Sequence, residues 1–109
     1  MTETPKICTI ILAGGKGTRM NSSLPKVLHE IAGKPIIFWT LELLKKLAPG
    51  NIIVVTEHEV NLVEEEIKKG SYEVIFARQE KPLGTADAVS EGLKKAPQDC
   101  KTILVLFGD

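Results

Sequence analysis

Apolar and polar positions follow one another along the chain in two periods, one typical of strands and one typical of helices. Short runs rich in Ile, Val and Leu predict buried strands over 7–12, 52–56, 72–76 and 103–107. Apolar residues at helical spacing predict helices over 35–46, 60–69 and 85–95. A short ordered stretch is also expected around Val27, Leu28 and Ile31. Strands and helices therefore alternate regularly.

The helical spacing also predicts which side of each helix is buried. The expected inward residues are Ile36, Trp39, Leu43 and Leu47 in the first helix, Val60, Val63 and Ile67 in the second, and Ala86, Val89 and Leu93 in the third. Glu64, Glu65 and Glu66 are expected to face water. Gly92 is a poor helix former, so the last turn of the third helix is the weakest part of that pattern.

Alternating strands and helices of these lengths are typical of βαβ units, which build a mainly parallel sheet. We therefore predict an α/β, Rossmann-like fold with flanking helices, formed by a single domain. In such sheets, ligands bind beyond the carboxyl ends of the strands. Three segments with candidate chemistry, 13–19, 77–85 and 108–109, each follow a predicted strand. The topology is expected to bring all three to one edge of the sheet.

Composition narrows the classes of partner. Fourteen Lys and Arg residues balance fourteen Asp and Glu residues. That balance argues against nucleic-acid binding, which needs a basic surface, but it allows a local basic pocket. The apolar run at 7–13 is too short to span a membrane, and the glycines and cations after it are unlike a signal peptide.

The only cysteines are Cys8 and Cys100, and they form no metal-binding motif. Cys8 falls inside the first predicted strand, where a small buried thiol is expected. We therefore expect a reduced, cytoplasmic chain. His29 and His58 have no partner in the sequence pattern and are interpreted as structural or surface residues.

A glycine-rich loop at 13–20 follows the first strand and carries Lys16 and Arg19. Glycines let backbone N–H groups approach phosphate oxygens, and the two cations can offset phosphoryl charge. The spacing matches neither GxxxxGK[ST] nor GxGxxG. A tight turn with solvated cations is the alternative reading. Lys26 lies seven residues after Arg19, behind Pro25, and is interpreted as a second phosphate ligand rather than a surface lysine.

Two further motifs follow later strands. Gln79 offers an amide donor and acceptor to a base edge, and Gly84 lets a flat base lie close. Thr85 is a plausible helix N-cap, and Asp87 in the first helical turn is explained by the helix dipole. Asp109 at a strand end suits Mg²⁺, which favours one or two carboxylates with phosphate oxygens. A plain turn residue is the alternative there.

Together these motifs resemble the sugar-phosphate nucleotidyltransferases. The resemblance covers essentially the whole chain and is greatest to the N-terminal uridylyltransferase domain of the bacterial bifunctional enzyme that makes UDP-N-acetylglucosamine. It rests on the segments 12–20, 24–29, 32–35, 83–88 and 107–109. The seven-residue step from Arg19 to Lys26 fits that domain. Gly15 stands where alanine is common, and Ala86-Asp87 stands where Gly-His is typical.

The resemblance implies a function and a role for each residue. The reaction would be attack by N-acetylglucosamine 1-phosphate on the α-phosphate of UTP, with Mg²⁺ as cofactor. Arg19 and Lys26 would be catalytic and Asp109 would bind the metal. The remaining nucleotide-binding residues would be Leu12, Ala13, Gly14, Gly15, Lys16, Gly17, Thr18, Gln79, Gly84, Thr85, Phe107 and Gly108.

The resemblance also implies that residues 1–109 are the N-terminal nucleotide-binding portion of a longer domain. The isolated chain is then expected not to turn over, and its last strand to favour self-association into a homo-oligomer. Two alternatives stay open. One is a cytidylyltransferase or another nucleotidyltransferase of the same fold. The other is a non-catalytic nucleotide-binding domain.

Overall fold

A computed structural model describes residues 7–14, 24–47, 50–57, 62–81 and 83–108. The strands are β1 (Ile7–Leu12), β2 (Glu30–Ile31), β3 (Lys34–Pro35), β4 (Asn51–Glu57), β5 (Ile75–Gln79) and β6 (Thr102–Phe107). The α-helices are α1 (Ile36–Leu47), α2 (Leu62–Lys69) and α3 (Thr85–Lys95), and a 3₁₀ helix spans Lys26–Leu28. The elements alternate along the chain as the pattern predicts.

The main sheet of the described residues has the strand order β5-β4-β1-β6, and every pairing in it is parallel. The chain runs from β1 outward through β4 to β5, then returns to place β6 on the other side of β1. The order therefore reverses between β1 and β6, where open α/β sheets form a ligand crevice beyond the strand ends. The predicted Rossmann-like parallel sheet is confirmed.

Helices cover both faces of this sheet. One core cluster joins Ile11 and Val54 to buried residues of α1 and α2. The other joins Ile10 and Val55 to α3, whose Ala88 is buried against the opposite face. Because both faces are covered, β1 and β4 read as continuous apolar runs rather than alternating ones.

The face of α1 differs from the prediction. Its buried residues are Ile37, Leu41 and Leu44, whereas Trp39 is 44% exposed and Leu43 is 55% exposed. The helix is apolar around most of its circumference, so its spacing fits more than one face. Tertiary packing selects between them, and the Trp39 indole instead donates a hydrogen bond to the Ile31 carbonyl at 2.8 Å.

In α2, Val63 and Ile67 are buried as predicted, but Glu64 is not at the surface. Its carboxylate forms an ion pair with Arg78 of β5, in which Glu64 Oε2 lies 2.8 Å from Arg78 Nη2. A carboxylate can be buried when a guanidinium pairs with it. The sequence pattern missed this because the cation lies on a strand that the helix covers.

In α3, the predicted inward face is rotated. Ala88 and Gly92 are the buried residues, while Ala86 and Leu93 are exposed. Gly92 faces the sheet closely enough that a Cβ there would stand 2.9 Å from Ile10 Cγ2 and 3.1 Å from Val55 Cγ2. The glycine is a close-packing residue, so the helix continues through it to Lys95.

β5 begins three residues later than predicted and runs through Gln79. In the segment before it, Tyr72 packs edge-on against Phe38 of α1, with ring centroids 5.0 Å apart. At its other end, 77–79 are strand because they pair with β4, which gives Gln79 a fixed place in the sheet. The antiparallel β2–β3 hairpin precedes α1, with a turn through Ala32 and Gly33, both at positive φ.

The expectation of free cysteines is wrong for this structure. Cys8 is buried in β1 as predicted, but it is joined to Cys100, with the two Cα atoms 5.9 Å apart. That spacing lies within the range that disulfides span. Because 92 positions separate the two residues, only the fold reveals that they are neighbours. Among the described helices, none is long and apolar enough to cross a bilayer.

Candidate nucleotide-binding site

The candidate site lies at the carboxyl edge of the parallel sheet. Gly14, Glu57, Gln79 and Gly108 end or directly follow β1, β4, β5 and β6. Backbone hydrogen bonds extend the sheet to this edge, from Ala13 N–H to the Val55 carbonyl at 2.9 Å and from Gly108 N–H to the Leu12 carbonyl at 2.9 Å. The strand ends are therefore held in register where a ligand of this fold binds.

Gly14 is the first residue of the glycine-rich loop and is exposed. A Cβ at this position would stand 3.3 Å from Glu57 Cγ and 3.9 Å from Gln79 Oε1. The end of β1 therefore lies against side chains from β4 and β5. A residue without a side chain keeps the backbone here open to a ligand that approaches closely.

Gly108 allows a close approach between β6 and the 3₁₀ helix. A Cβ on Gly108 would stand 3.0 Å from Val27 Cγ1 and 3.2 Å from the Leu12 carbonyl oxygen. Val27 is buried, and Lys26 beside it is exposed. This packing holds Val27, the residue after Lys26, against the ends of β1 and β6, although the 3₁₀ helix and β6 are far apart in sequence.

Leu12 and Phe107 are paired as the last residues of β1 and β6. Leu12 is buried, as is Ala13 after it, so their side chains are covered at this edge. Phe107 is 65% exposed. The family resemblance implies that both Leu12 and Phe107 bind the nucleotide, and they lie side by side at the ends of β1 and β6.

Gln79 is the buried polar side chain of this edge. Its Nε2 donates to the Gly84 carbonyl at 3.1 Å and to Asp87 Oδ2 at 3.0 Å. The residue is only 7% exposed, so its amide is held by partners on the loop and on α3. The sequence position of Asp87 suggested only that it complements the helix dipole. In the structure it also accepts a hydrogen bond from Gln79.

Gly84, rather than Thr85, is the N-cap of α3, which corrects the prediction for Thr85. Gly84 has φ of +99°, a left-handed conformation that favours glycine, and its carbonyl accepts the Ala88 N–H at 3.1 Å. Thr85 is the first helical residue and is exposed. The two residues stand beside Gln79 because the Gln79 amide bonds to the Gly84 carbonyl.

Glu57 is an edge residue that the sequence reasoning missed. It ends β4 opposite Gln79 and its side chain lies against Gly14. The available signal was its position at the carboxyl end of a buried strand, the criterion that selected Gln79 and Asp109. The remaining predicted site residues, Gly15, Lys16, Gly17, Thr18, Arg19 and Asp109, lie outside the described residues.

The magnesium ligand expected from the sequence, Asp109, lies outside the described residues, directly after Gly108 in the chain. Mg²⁺ binds through one or two carboxylates together with phosphate oxygens and water, so it does not require a protein cage. Within the described ranges, no three His, Cys, Asp or Glu side chains are grouped closely enough to hold a metal ion.

Two surface cavities, of about 450 and 650 Å³, lie away from this edge. Their linings include Gly50 and Ser71, which precede β4 and β5, and Tyr72, which lines both. They therefore flank the amino ends of the strands. A parallel sheet rarely binds its ligand there, so we place the site by topology and side-chain chemistry.

Comparison with known proteins identifies the family. The MobA-like NTP transferase domain matches residues 9–109, nearly the whole chain. The chain belongs to this family. The MobA-like match overlaps every strand of the main sheet and includes all of the edge residues named above.

Relatives of this MobA-like domain include proteins named bifunctional protein GlmU. That of Zymomonas mobilis is 43% identical over 110 residues, which cover 100% of the chain and 24% of the relative. That of Cupriavidus metallidurans is 43% identical over 100 residues, covering 92% of the chain and 21% of the relative. The resemblance to the N-terminal part of the bifunctional enzyme is confirmed. The chain spans about a quarter of the length of these relatives.

Solved structures share the fold. HddC from Yersinia pseudotuberculosis superposes with a TM-score of 0.78 at 27% identity, over 94% of this chain and 47% of that one. The inositol-1-phosphate CTP transferase from T. maritima gives 0.77 at 20% identity, over 99% of this chain and 45% of that one. The α/β fold of this chain is thus shared with both solved structures.

Proposed function

We propose that this chain forms the nucleotide-binding part of a uridylyltransferase that makes UDP-N-acetylglucosamine from UTP and N-acetylglucosamine 1-phosphate. The observation that carries the proposal is the convergence of Gly14, Gln79 and Gly108 at the carboxyl edge of the parallel sheet. The 43% identity to bifunctional protein GlmU supports the choice of substrates.

In this proposal, the edge residues divide the nucleotide between them. The backbone of Leu12, Ala13 and Gly14 lies along the nucleoside, and Gln79 and Gly84 contact the base. Thr85, Phe107 and Gly108 complete the surroundings of the nucleoside. With its nitrogen bonded to Gly84 and Asp87, the Gln79 amide would give the site specificity through its oxygen, which an unmatched base leaves without a partner.

The triphosphate would lie along the glycine-rich loop, with Gly15, Lys16, Gly17 and Thr18 around it. A phosphate oxygen of the sugar phosphate attacks the α-phosphorus of UTP. The bond from that phosphorus to the bridging oxygen of the β-phosphate breaks, and pyrophosphate leaves with that electron pair. Arg19 and Lys26 stabilise the charge on the phosphoryl oxygens, so catalysis consists mainly of positioning and charge neutralisation.

Asp109 would hold Mg²⁺ at this edge. When bound, the ion supplies charge neutralisation and alignment of the phosphates. The sugar phosphate and the nucleotide are the partners in this proposal, with neither nucleic acid nor membrane among them. β6 lies at the edge of the four-stranded sheet with Leu104 and Val105 partly exposed, which favours pairing with another chain and hence a homo-oligomer.

Nucleotide binding by the 109-residue chain tests the proposal. We would titrate the ¹⁵N-labelled chain with Mg²⁺ and each of UTP, CTP, dTTP, GTP and ATP. UTP-selective shifts at Gly14, Gln79 and Gly108 are expected. Binding is the readout because the chain spans about a quarter of its GlmU relatives. A folded chain that responds to no nucleotide contradicts the proposal.

A cytidylyltransferase is the second candidate. The Gln79 side chain has one oxygen besides the nitrogen that bonds to Gly84 and Asp87, and that oxygen can accept from the amino group of cytosine as well as from the ring N–H of uracil. CTP-selective shifts at the same three residues would favour this reading.

A further inference from the structure

The Gln79 amide has its orientation fixed by the two groups that contact its nitrogen. Nε2 lies 3.1 Å from the Gly84 carbonyl oxygen and 3.0 Å from Asp87 Oδ2. A carbonyl and an ionised carboxylate can only accept hydrogen bonds. The NH₂ group must therefore point toward them, because turning the amide around would place Oε1 against two other acceptors.

Both donors of the amide are used in this arrangement, so only its acceptor is left for a ligand. That acceptor faces the nucleotide edge, since Oε1 lies 3.9 Å from where a Cβ of Gly14 would stand. The end of β5 thus presents a single hydrogen-bond acceptor beside the glycine-rich loop. A base can satisfy it only with an N–H group at the matching position.

Asp87 is the partner that makes this orientation strict. The Gly84 carbonyl already accepts the Ala88 N–H in the first turn of α3, so it is a shared acceptor. Asp87 is half-buried in the same turn and, through its bond to Nε2, ties α3 to the end of β5. A charged acceptor forms the stronger hydrogen bond of the two.

We propose that Asp87 is a positioning residue that fixes Gln79 as an acceptor and thereby sets which pyrimidine the site selects. This inference rests on the proposed uridylyltransferase function. The ring N3 of uracil carries a hydrogen, whereas N3 of cytosine is an acceptor. Where Oε1 opposes N3, a fixed acceptor bonds to the N–H of uracil and meets only a lone pair on cytosine, whereas an amide free to turn accommodates either base. Cytosine can bond to the fixed oxygen only by shifting so that its amino group lies there instead of N3.

The test measures the dissociation constants of UTP and CTP for the wild-type chain, Asp87→Ala, Gln79→Ala and the double variant. One neutral hydrogen bond corresponds to a factor of about 3 to 10 in affinity. The preference of the wild type for UTP over CTP is therefore expected to fall about 3- to 10-fold in Asp87→Ala. In the Gln79→Ala background, adding Asp87→Ala is expected to leave the preference unchanged, because Asp87 acts only through Gln79.

A matched control separates positioning from the effect of a carboxylate on the helix terminus. Ala86 is exposed in the same turn, so Ala86→Asp combined with Asp87→Ala restores the charge without restoring the contact to Gln79. This variant is expected to regain thermal stability and to keep the lowered preference. Recovery of the preference in it would show that charge alone sufficed and would overturn the inference.

A second readout needs no nucleotide. The Gln79 side-chain NH₂ protons are both hydrogen-bonded, so their exchange with water is expected to be slow in the wild type and faster in Asp87→Ala. A wild type that binds both nucleotides equally overturns the proposed uridylyl specificity and this inference together. A wild type that prefers UTP, with the preference and amide exchange unchanged in Asp87→Ala, overturns this inference alone.

Discussion

Gly92 and Gly108 are required by packing rather than by backbone conformation. Gly92 lets α3 lie directly on Ile10 and Val55, and Gly108 lets the 3₁₀ helix approach the end of β6. Neither glycine has a positive φ. In both cases the absent Cβ is what allows two elements to meet.

At Gly92, we expect alanine to destabilise the protein although alanine is the better helix former. The propensity gain is about 1 kcal/mol, whereas overpacking a dense core costs about 1–3 kcal/mol. Gly92→Ala should lower the free energy of unfolding by about 1 kcal/mol in urea titrations. Ser90→Ala is the control, since Ser90 is exposed on the same helix and should change stability little. If Gly92→Ala were more stable than the wild type, α3 would have moved away from Ile10 and Val55 without loss of packing energy.

At Gly108, alanine is expected to weaken nucleotide binding more than it weakens folding. Its Cβ would press on Val27 and displace the adjacent Lys26 from the strand ends. The dissociation constant of UTP should rise, and Val27→Ala in the same chain should reverse the effect by making room. Failure of the second change to restore binding would rule out steric displacement as the cause.

At the scale of elements, ion pairs join neighbouring helices and strands and fix their relative positions more specifically than apolar packing does. The ion pair between Glu64 and Arg78 joins α2 to β5, and that between Lys34 and Glu42 joins β3 to α1. The first involves a buried carboxylate, and the second lies nearer to solvent. The two ion pairs should therefore differ in how much they contribute to the stability of the fold.

Removing Arg78 should destabilise the protein more than replacing the whole pair. Arg78→Met leaves the Glu64 carboxylate buried without its cation, which we expect to cost about 1–2 kcal/mol because Arg78 is partly exposed to solvent screening. Adding Glu64→Met should recover most of that loss. Urea unfolding measures both, and Glu65→Ala on the exposed face of α2 serves as the neutral control. Equal stability of the single and double variants would contradict this account.

The Lys34–Glu42 pair should be visible in a pH titration. The hydrogen bond from Lys34 is the main reason that the pKa of the Glu42 carboxyl lies below its usual range. Because the folded pKa is lowered, the pair stabilises the fold above the pKa of the unfolded chain, and this contribution is lost as pH falls through the folded pKa. Lys34→Met should raise the Glu42 pKa in an NMR titration. An unchanged value would assign the shift to other groups.

At the scale of the whole molecule, the order β5-β4-β1-β6 brings distant segments to one edge. Parallel pairing places all four carboxyl ends together, and the reversal between β1 and β6 opens the crevice there. The two cysteines show the same effect elsewhere in the fold, since they meet only because β6 returns beside β1. The site is therefore a property of the sheet as much as of any motif.

The position of Lys26 at this edge gives a prediction about phosphate binding. A charge-assisted hydrogen bond is worth about 1.5–3 kcal/mol, so Lys26→Ala should weaken UTP binding by about 10- to 100-fold. Lys101→Ala is the matched control, because Lys101 precedes β6 at the opposite end of the sheet. Loss of affinity should also be smaller for uridine than for UTP. Equal losses for both ligands would mean that Lys26 does not contact the phosphates.

The sequence alone determined the α/β class, the parallel sheet and the candidate residues at the strand ends. Those follow from local periodicity and from motifs whose chemistry is encoded in neighbouring residues, as in the run from Leu12 into Gly14. The sequence also located most of the ends of the helices and strands, because Gly, Pro and charged residues are common where these elements begin and end. Family resemblance added the proposed substrates, which periodicity cannot supply.

Tertiary structure alone decided the buried faces of α1 and α3, the burial of Glu64, the Cys8–Cys100 pairing and the contact between Asp87 and Gln79. A helix with apolar residues on most sides fits several orientations by spacing, and the choice is made by shape at the sheet. Ion pairs, disulfides and oriented amides depend on partners distant in sequence. These contacts form only because folding brings residues that are distant in sequence close together.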